Sequence, residues 1–145
     1  IAAKDPNHKH LILVVDDNVF FSKTISDSLP KDKYTVVTAE DGEEGLKKLQ
    51  SEKPDLILLD ILMPKIDGIE FLKILQSKRK KNQRELPVPI IITSNLSNMN
   101  KISEGVALGV KGYIVKSDEN LQSIANSIEQ IFQSEENARK KQAGK

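Results

Sequence analysis

A chain of 145 residues, 38% hydrophobic, has the length of one ordinary domain and enough apolar surface to bury a core of its own. Its formal net charge of +1 gives no bulk attraction to nucleic acid or to an anionic membrane. The absence of cysteine removes disulfides, thiolate metal sites and cysteine nucleophiles together, and it suits a reducing compartment, for which the cytoplasm is the default expectation.

The opening Lys4-Asp5-Pro6-Asn7-His8 is polar, unlike a signal peptide, and no apolar run approaches the ~18 residues of a membrane span. Ile1 in place of a methionine reads as a cut or processed end, which leaves open whether an output domain lies outside the chain. Residues 1–9 are read as a flank or tag remnant. His8 and His10 have no carboxylate or cysteine pattern around them, so they too are assigned to a flank or tag and given no role in chemistry or core.

The first strand is predicted over 11–15 and finishes in the acidic pair Asp16-Asp17. Phe21, Ile25 and Leu29, at i, i+4 and i+8, line one face of a helix starting near Val19. Taken alone, Asp16-Asp17 could equally serve that helix as a cap and its neighbour. A second strand over 34–38 is followed by a capping box, Asp41 with Glu44 three residues on. The third strand, 56–59, ends at Asp60, and the turn chemistry of Met63-Pro64 and Asp67-Gly68 comes next.

Residues 76–87 read as a helix end and loop. Lys78 to Lys81, with Arg84, complement a helix carboxyl terminus, and no aromatic interleaves them to suggest nucleic acid. A fourth strand over 90–93 is closed by Ser94. Ser97 is placed to cap a helix carrying Ile102 and Val106, and Gly109 to end it. The fifth strand, 113–115, is closed by Lys116, and Leu121, Ile124, Ile128 and Ile131 line the last helix. The domain is expected over 10–133, with 134–145, including Arg139-Lys140-Lys141, a frayed polar tail or linker stub.

Continuously apolar strands suit a parallel sheet covered on both faces, so the expected fold class is α/β, one doubly wound domain. Such sheets bind ligands beyond the carboxyl ends of their strands at a topological switch point, where Asp16, Asp17 and Asp60 are predicted to gather. Carboxylates held that close cannot all ionise cheaply, so the triad predicts a divalent-metal site with one acid left for chemistry. A carboxylate oxygen attacks phosphorus once the donor's charge is neutralised and the transferring group is aligned. Lys116 and Ser94 supply an ammonium and a hydroxyl for that clamp.

These residues resemble the receiver domains of two-component response regulators, of the chemotaxis-receiver kind, over about residues 10–132. An aspartate pair follows the first strand. Asp60 follows the third, with Met63-Pro64-Lys65-Ile66-Asp67-Gly68 after it; a hydroxyl follows the fourth; Tyr113-x-x-Lys116 marks the fifth. The resemblance implies a single flavodoxin-like (βα)5 domain with a five-stranded parallel sheet of order 2-1-3-4-5. It implies that Asp60 accepts a phosphoryl group from a histidine kinase or phosphotransfer protein. Asp16 or Asp17, with Asp60 and the main-chain carbonyl of Leu62, would hold Mg²⁺, Mn²⁺ being the alternative ion. Lys116 and Ser94 would contact the phosphoryl oxygens, and Tyr113 would be the aromatic whose rotamer follows the hydroxyl. The chain would then be a switch rather than an enzyme. It would act on a downstream protein or output domain through the surface around its last two strands and helices, as a monomer or a phosphorylation-dependent dimer. Neither a membrane nor nucleic acid is expected as a partner of this chain alone.

Ser94 is preferred to Thr93 because it follows Pro89 at the family's interval and its separation from Tyr113 and Lys116 matches the family's. Adjacent strand residues also point to opposite faces, so only one reaches the phosphate. Three departures from the family carry expectations. Asn95, where a small residue is usual, is expected to narrow access to Asp60 or add a hydrogen bond, slowing small phosphodonors. Ser117 follows Lys116 where proline is common, and a trans bond is expected because a cis bond there would cost ~2.5–4 kcal/mol. Leu62 and Leu96 stand two residues past the acceptor and the hydroxyl, where apolar side chains exclude attacking water and favour a long-lived phosphoryl group.

Three competing functions are weaker. Haloacid dehalogenase phosphatases also use a strand-end Asp with Mg²⁺, but their second Asp falls where this chain has Leu62. A flavodoxin-like cofactor binder wants a hydroxyl- and glycine-rich phosphate loop, and Asp16-Asp17-Asn18 would repel phosphate without a metal. A phosphorylation-independent interaction module of the same fold leaves the full acceptor set without a use.

Overall fold

The computed structural model describes residues 9–78, 86–95, 99–117 and 121–143. Strands and helices alternate in the order β1 (His10–Val15), α1 (Val19–Ser28), β2 (Tyr34–Ala39), α2 (Gly42–Glu52), β3 (Leu56–Asp60), α3 (Gly68–Ser77), β4 (Ile90–Ser94), α4 (Met99–Ala107), β5 (Gly112–Val115) and α5 (Leu121–Ala143). The strands form one parallel sheet of order β2-β1-β3-β4-β5, the flavodoxin-like arrangement expected.

Both faces of the sheet are buried, which is why the strands read as unbroken apolar runs. One core cluster joins Leu13, Val15, Ile57, Leu59, Ile90 and Ile92 to Phe71, Leu72 and Leu75 of α3 and Ile102 of α4. The other joins Ile12, Val14, Leu58, Ile91 and Ile114 to Ile25 of α1 and to Ile124 and Ile128 of α5. Odd and even residues of β1 and β3 thus serve opposite layers, as the pleat requires.

Local signals place the helix ends. Asp41 caps α2 by accepting from the Glu44 N–H at 2.8 Å, while Glu44 reaches back to the Glu40 N–H at 3.1 Å. Gly109, at φ +107°, stands just past α4, a conformation that favours glycine. Ser97 lies outside the described residues, as does most of the basic run after Lys78.

Asn18 caps α1, its side chain accepting from the Phe21 N–H at 3.1 Å, which leaves Asp16 and Asp17 free of that task. Two expectations are corrected. His10 is not a flank, since it opens β1 with its ring 3.9 Å from that of Phe132 and 6.4 Å from that of Tyr34, tying the strand to the end of the α5 apolar face. Residues 134–143 are helical where a frayed tail or linker stub is expected, because α5 runs on to Ala143. Its exposed last turns are supported by the pair Lys140 and Glu136 at 3.6 Å and by basic residues at the carboxyl terminus. Among the described residues, no helix is long and apolar enough to cross a membrane.

Candidate functional site

Strand order reverses between β1 and β3, and the acidic residues stand at the carboxyl ends of those two strands. The ladder extends one step past β1, with Asp16 N–H bonded to Ala39 O at 3.0 Å. Asp16 is 1% exposed and Asp60, the last residue of β3, is 7% exposed, whereas Asp17 faces solvent. One carboxylate oxygen from each of the three lies within 4.8 Å of the others. Strand pairing brings together what the sequence separates by more than forty positions.

Lys116 follows β5 and completes the constellation. Its N–H bonds Ser94 O at 2.8 Å, fixing the base of the side chain beside the end of β4. Its ammonium stands 2.7 Å from Asp16 Oδ2 and 3.7 Å from Asp60 Oδ2, and 4.5 Å from the centroid of the Phe21 ring. The short approach to Asp16 is an ion pair without hydrogen-bond alignment, for that buried oxygen accepts no regular hydrogen bond. The other Asp16 oxygen is occupied, accepting from the Asn18 N–H at 2.8 Å.

Burial pushes the Asp60 carboxyl up to about 7, and the neighbouring charge of Asp16 adds to the rise. The Lys116 ammonium and a hydrogen bond from the Leu62 N–H pull it back, while Asp17 adds a smaller upward push. The site therefore carries more negative charge than it can hold cheaply. Three ionised carboxylates against one ammonium leave two charges to neutralise, the complement of a divalent ion. An all-oxygen donor set suits a hard cation, so the residues fit Mg²⁺ or Mn²⁺.

The loop after Asp60 is braced from two sides. Lys65 pairs with Asp41 at 3.3 Å and Glu43 at 3.9 Å, and Ile66 lies against Gly42, where a β-carbon would fall 2.7 Å from the Ile66 carbonyl oxygen. Asp67 caps α3 by accepting from the Glu70 N–H at 2.8 Å, so Asp67-Gly68 is more than a turn. Leu62, within this loop, is 49% exposed.

Both hydroxyl candidates are buried at the end of β4. Thr93 is the direct ladder partner of Asp60, and Ser94, one residue on, pairs with Val115 and donates its hydroxyl to Asn95 O at 3.1 Å. Alternation alone therefore does not single out Ser94. Tyr113 is half exposed on the edge strand and Asn95 faces solvent, while Leu96 lies outside the described residues. No cis peptide occurs among the described residues, so Lys116-Ser117 is trans as expected. In the sequence Phe21 is legible only as part of an apolar stripe, and nothing in a linear pattern shows a ring beneath a distant lysine or the brace at Lys65 and Ile66.

Comparison with known proteins points one way. The family model of the response regulator receiver domain matches residues 12–136. The chain is 42% identical over 106 residues to the alkaline phosphatase synthesis transcriptional regulatory protein PhoP of Bacillus subtilis, covering 72% of this chain and 41% of that protein. It is 40% identical over 120 residues to the chemotaxis protein CheY of Treponema pallidum, covering 79% and 78%. Among solved structures, chemotaxis protein CheY4 of Vibrio cholerae superposes with a TM-score of 0.71 at 31% identity, covering 85% of this chain and 98% of that one. A CheY-like receiver domain of Methanospirillum hungatei shares the fold, with a TM-score of 0.78 at 24% identity over 90% and 99% of the two chains. The chain spans about two fifths of the length of several curated relatives that it matches.

Proposed function

Because this chain belongs to the response regulator receiver domain family, we propose that it is a phosphorylation-controlled switch in which Asp60 accepts a phosphoryl group from a histidine kinase or phosphotransfer protein. The observation that carries the reading is the meeting of three carboxylates, each with an oxygen within 4.8 Å of the others, beside the ammonium of Lys116. An oxygen of Asp60 attacks the phosphorus of a phosphorylated imidazole, a P–O bond forming as the P–N bond breaks and the imidazole leaves. Lys116 and the hydroxyl of Ser94 take the phosphoryl oxygens. Asp16 or Asp17, Asp60 and the Leu62 carbonyl would hold Mg²⁺ or Mn²⁺, which would supply charge neutralisation during transfer.

Transfer replaces the single charge of the ionised Asp60 carboxylate with about −1.5 to −2 spread over the phosphoryl oxygens. Drawing Lys116 and Ser94 toward it shifts the surface around β4, β5 and their helices, Tyr113 included, between two populations. Partner or output-domain affinity then changes by ~1–3 kcal/mol, the usual scale of such coupling. The chain acts as a switch and not as an enzyme on other substrates.

The test is transfer of label from a phosphorylated histidine kinase with Mg²⁺. Label is expected on the wild type and lost in Asp60→Asn, whose fold is retained; label that persists unchanged in the variant refutes the assignment. Beryllofluoride followed by NMR tests the switch, since resonance changes should reach Tyr113 and α5 as well as the pocket.

A further inference from the structure

Lys116 is the member of the site least fixed by its backbone. Several rotatable bonds separate its ammonium from the end of β5, and confining such a side chain costs entropy. Two carboxylates draw the ammonium, at 2.7 and 3.7 Å, but they would draw it wherever negative charge happens to lie. The third contact is different in kind. The Phe21 ring has its centroid 4.5 Å from Nζ, inside the ~6 Å over which a cation is attracted to an aromatic face.

The ring is a fixed platform. Phe21 sits in the first turn of α1 and packs against the cluster of Ile12, Val14, Ile25 and Ile114, so it has little freedom to move away from the lysine. The Lys116 side chain is only 18% exposed, and partial loss of water strengthens a cation–π contact. A ring face also holds the ammonium without adding charge and without occupying a carboxylate oxygen that a metal needs.

We infer that Phe21 is a positioning residue for Lys116, its ring face holding the ammonium beside Asp16 and Asp60 so that it is in place when a phosphoryl oxygen arrives. The inference rests on the receiver function proposed above. Phe21 touches no reacting atom and acts through Lys116.

Fluorination withdraws negative charge from a ring face with little change of shape, so it separates attraction from packing. Position 21 is filled with phenylalanine carrying one, two or three ring fluorines in the full chain, and beryllofluoride affinity is read by NMR at saturating Mg²⁺. Affinity should fall stepwise with fluorine number, by about three- to tenfold in all, with Phe21→Leu at the weak end. In the resting protein the ε-methylene protons of Lys116 should be shifted upfield by the ring and should move toward the free-lysine position in Phe21→Leu. A flat fluorine series, or lysine resonances untouched by the leucine substitution, overturns the inference and leaves the receiver function standing. Failure of the wild type to bind beryllofluoride overturns both. If the leucine variant does not fold, the fluorine series decides.

Discussion

Gly68 packs its bare α-carbon against the backbone of Asp60: a β-carbon there would lie 2.6 Å from the Asp60 carbonyl oxygen and 2.7 Å from the Ile61 α-carbon. Gly68 N–H also bonds Ile61 O at 2.8 Å. The start of α3 is thereby seated directly on the end of β3, and the strand end carrying the acidic group cannot shift without moving the helix. Neither contact is with a flexible side chain, so the clash cannot be relieved locally.

Gly68→Ala should therefore lower stability by about 1–3 kcal/mol, the usual cost of overpacking, read as a lower urea midpoint. Phosphorylation of the residual folded protein should slow, because a displaced nucleophile loses its alignment.

Metal-free stability should depend on pH through Asp60. Its folded value, about 7, lies above the ordinary carboxylate value of 3.8. The folded state thus favours the protonated acid, the contribution is fully present below about pH 4, and it is lost as pH rises through about 7. At about 1.4 kcal/mol per unit the rise is worth about 4 kcal/mol, and screening by solvent at the mouth of the site lowers the expected loss to on the order of 2–4 kcal/mol. Asp60→Asn removes the buried charge and should match the wild type near pH 4 but exceed it in stability above pH 7, as measured by chemical denaturation with chelator present.

Mg²⁺ should reverse that loss. At a hundredfold excess over its dissociation constant a ligand bound only by the folded state adds about 2.7 kcal/mol. The stabilisation should grow as pH rises through about 7, since Asp60 must ionise to bind the ion. Thermal melts with and without Mg²⁺ should separate in the wild type, less in Asp17→Asn and least in Asp60→Asn.

The hydroxyl question has a direct answer by substitution. Ser94→Ala should leave phosphorylation of Asp60 possible while weakening the response of Tyr113 resonances to beryllofluoride, and Thr93→Val should leave that response intact. The reverse pattern would assign the role to Thr93, the ladder partner of Asp60.

Leu62 bears on the lifetime of the phosphoryl group. With an apolar side chain at the mouth of the site, half exposed, attacking water has no partner there to orient it. Leu62→Asn should shorten the lifetime of isolated phosphoprotein severalfold, followed as loss of label over time.

Much of this was legible in the linear pattern. The five strands lie where apolar runs rich in β-branched residues predict them, each longer by one residue, because a strand buried on both faces must be largely apolar. Asp16, Asp17, Asp60 and Lys116 were identifiable because a charge that closes such a run has to stand at the sheet's edge. The first-strand histidine was harder: His10 looks like flank until Phe132, more than a hundred residues later, is laid against it. The tail of α5 was misread for a related reason. Its polar residues have no apolar face to reveal periodicity, and only continuation from a packed helix, with the pair Lys140 and Glu136, keeps it helical.

What the sequence determined by itself was the strand content, the alternation with helices and the residue types gathered at one edge, since these follow from periodicity and from the cost of burying charge. Only the tertiary structure decided how that charge is distributed. The burial of Asp60 beside Asp16 that raises its carboxyl, the closer approach of Lys116 to Asp16 than to Asp60, the ring of Phe21 beneath it and the seating of Gly68 on Asp60 are matters of a few ångströms between elements remote in sequence. Coulombic, cation–π and steric energies change steeply over such distances, whereas a linear pattern fixes only which face or end of an element a residue occupies.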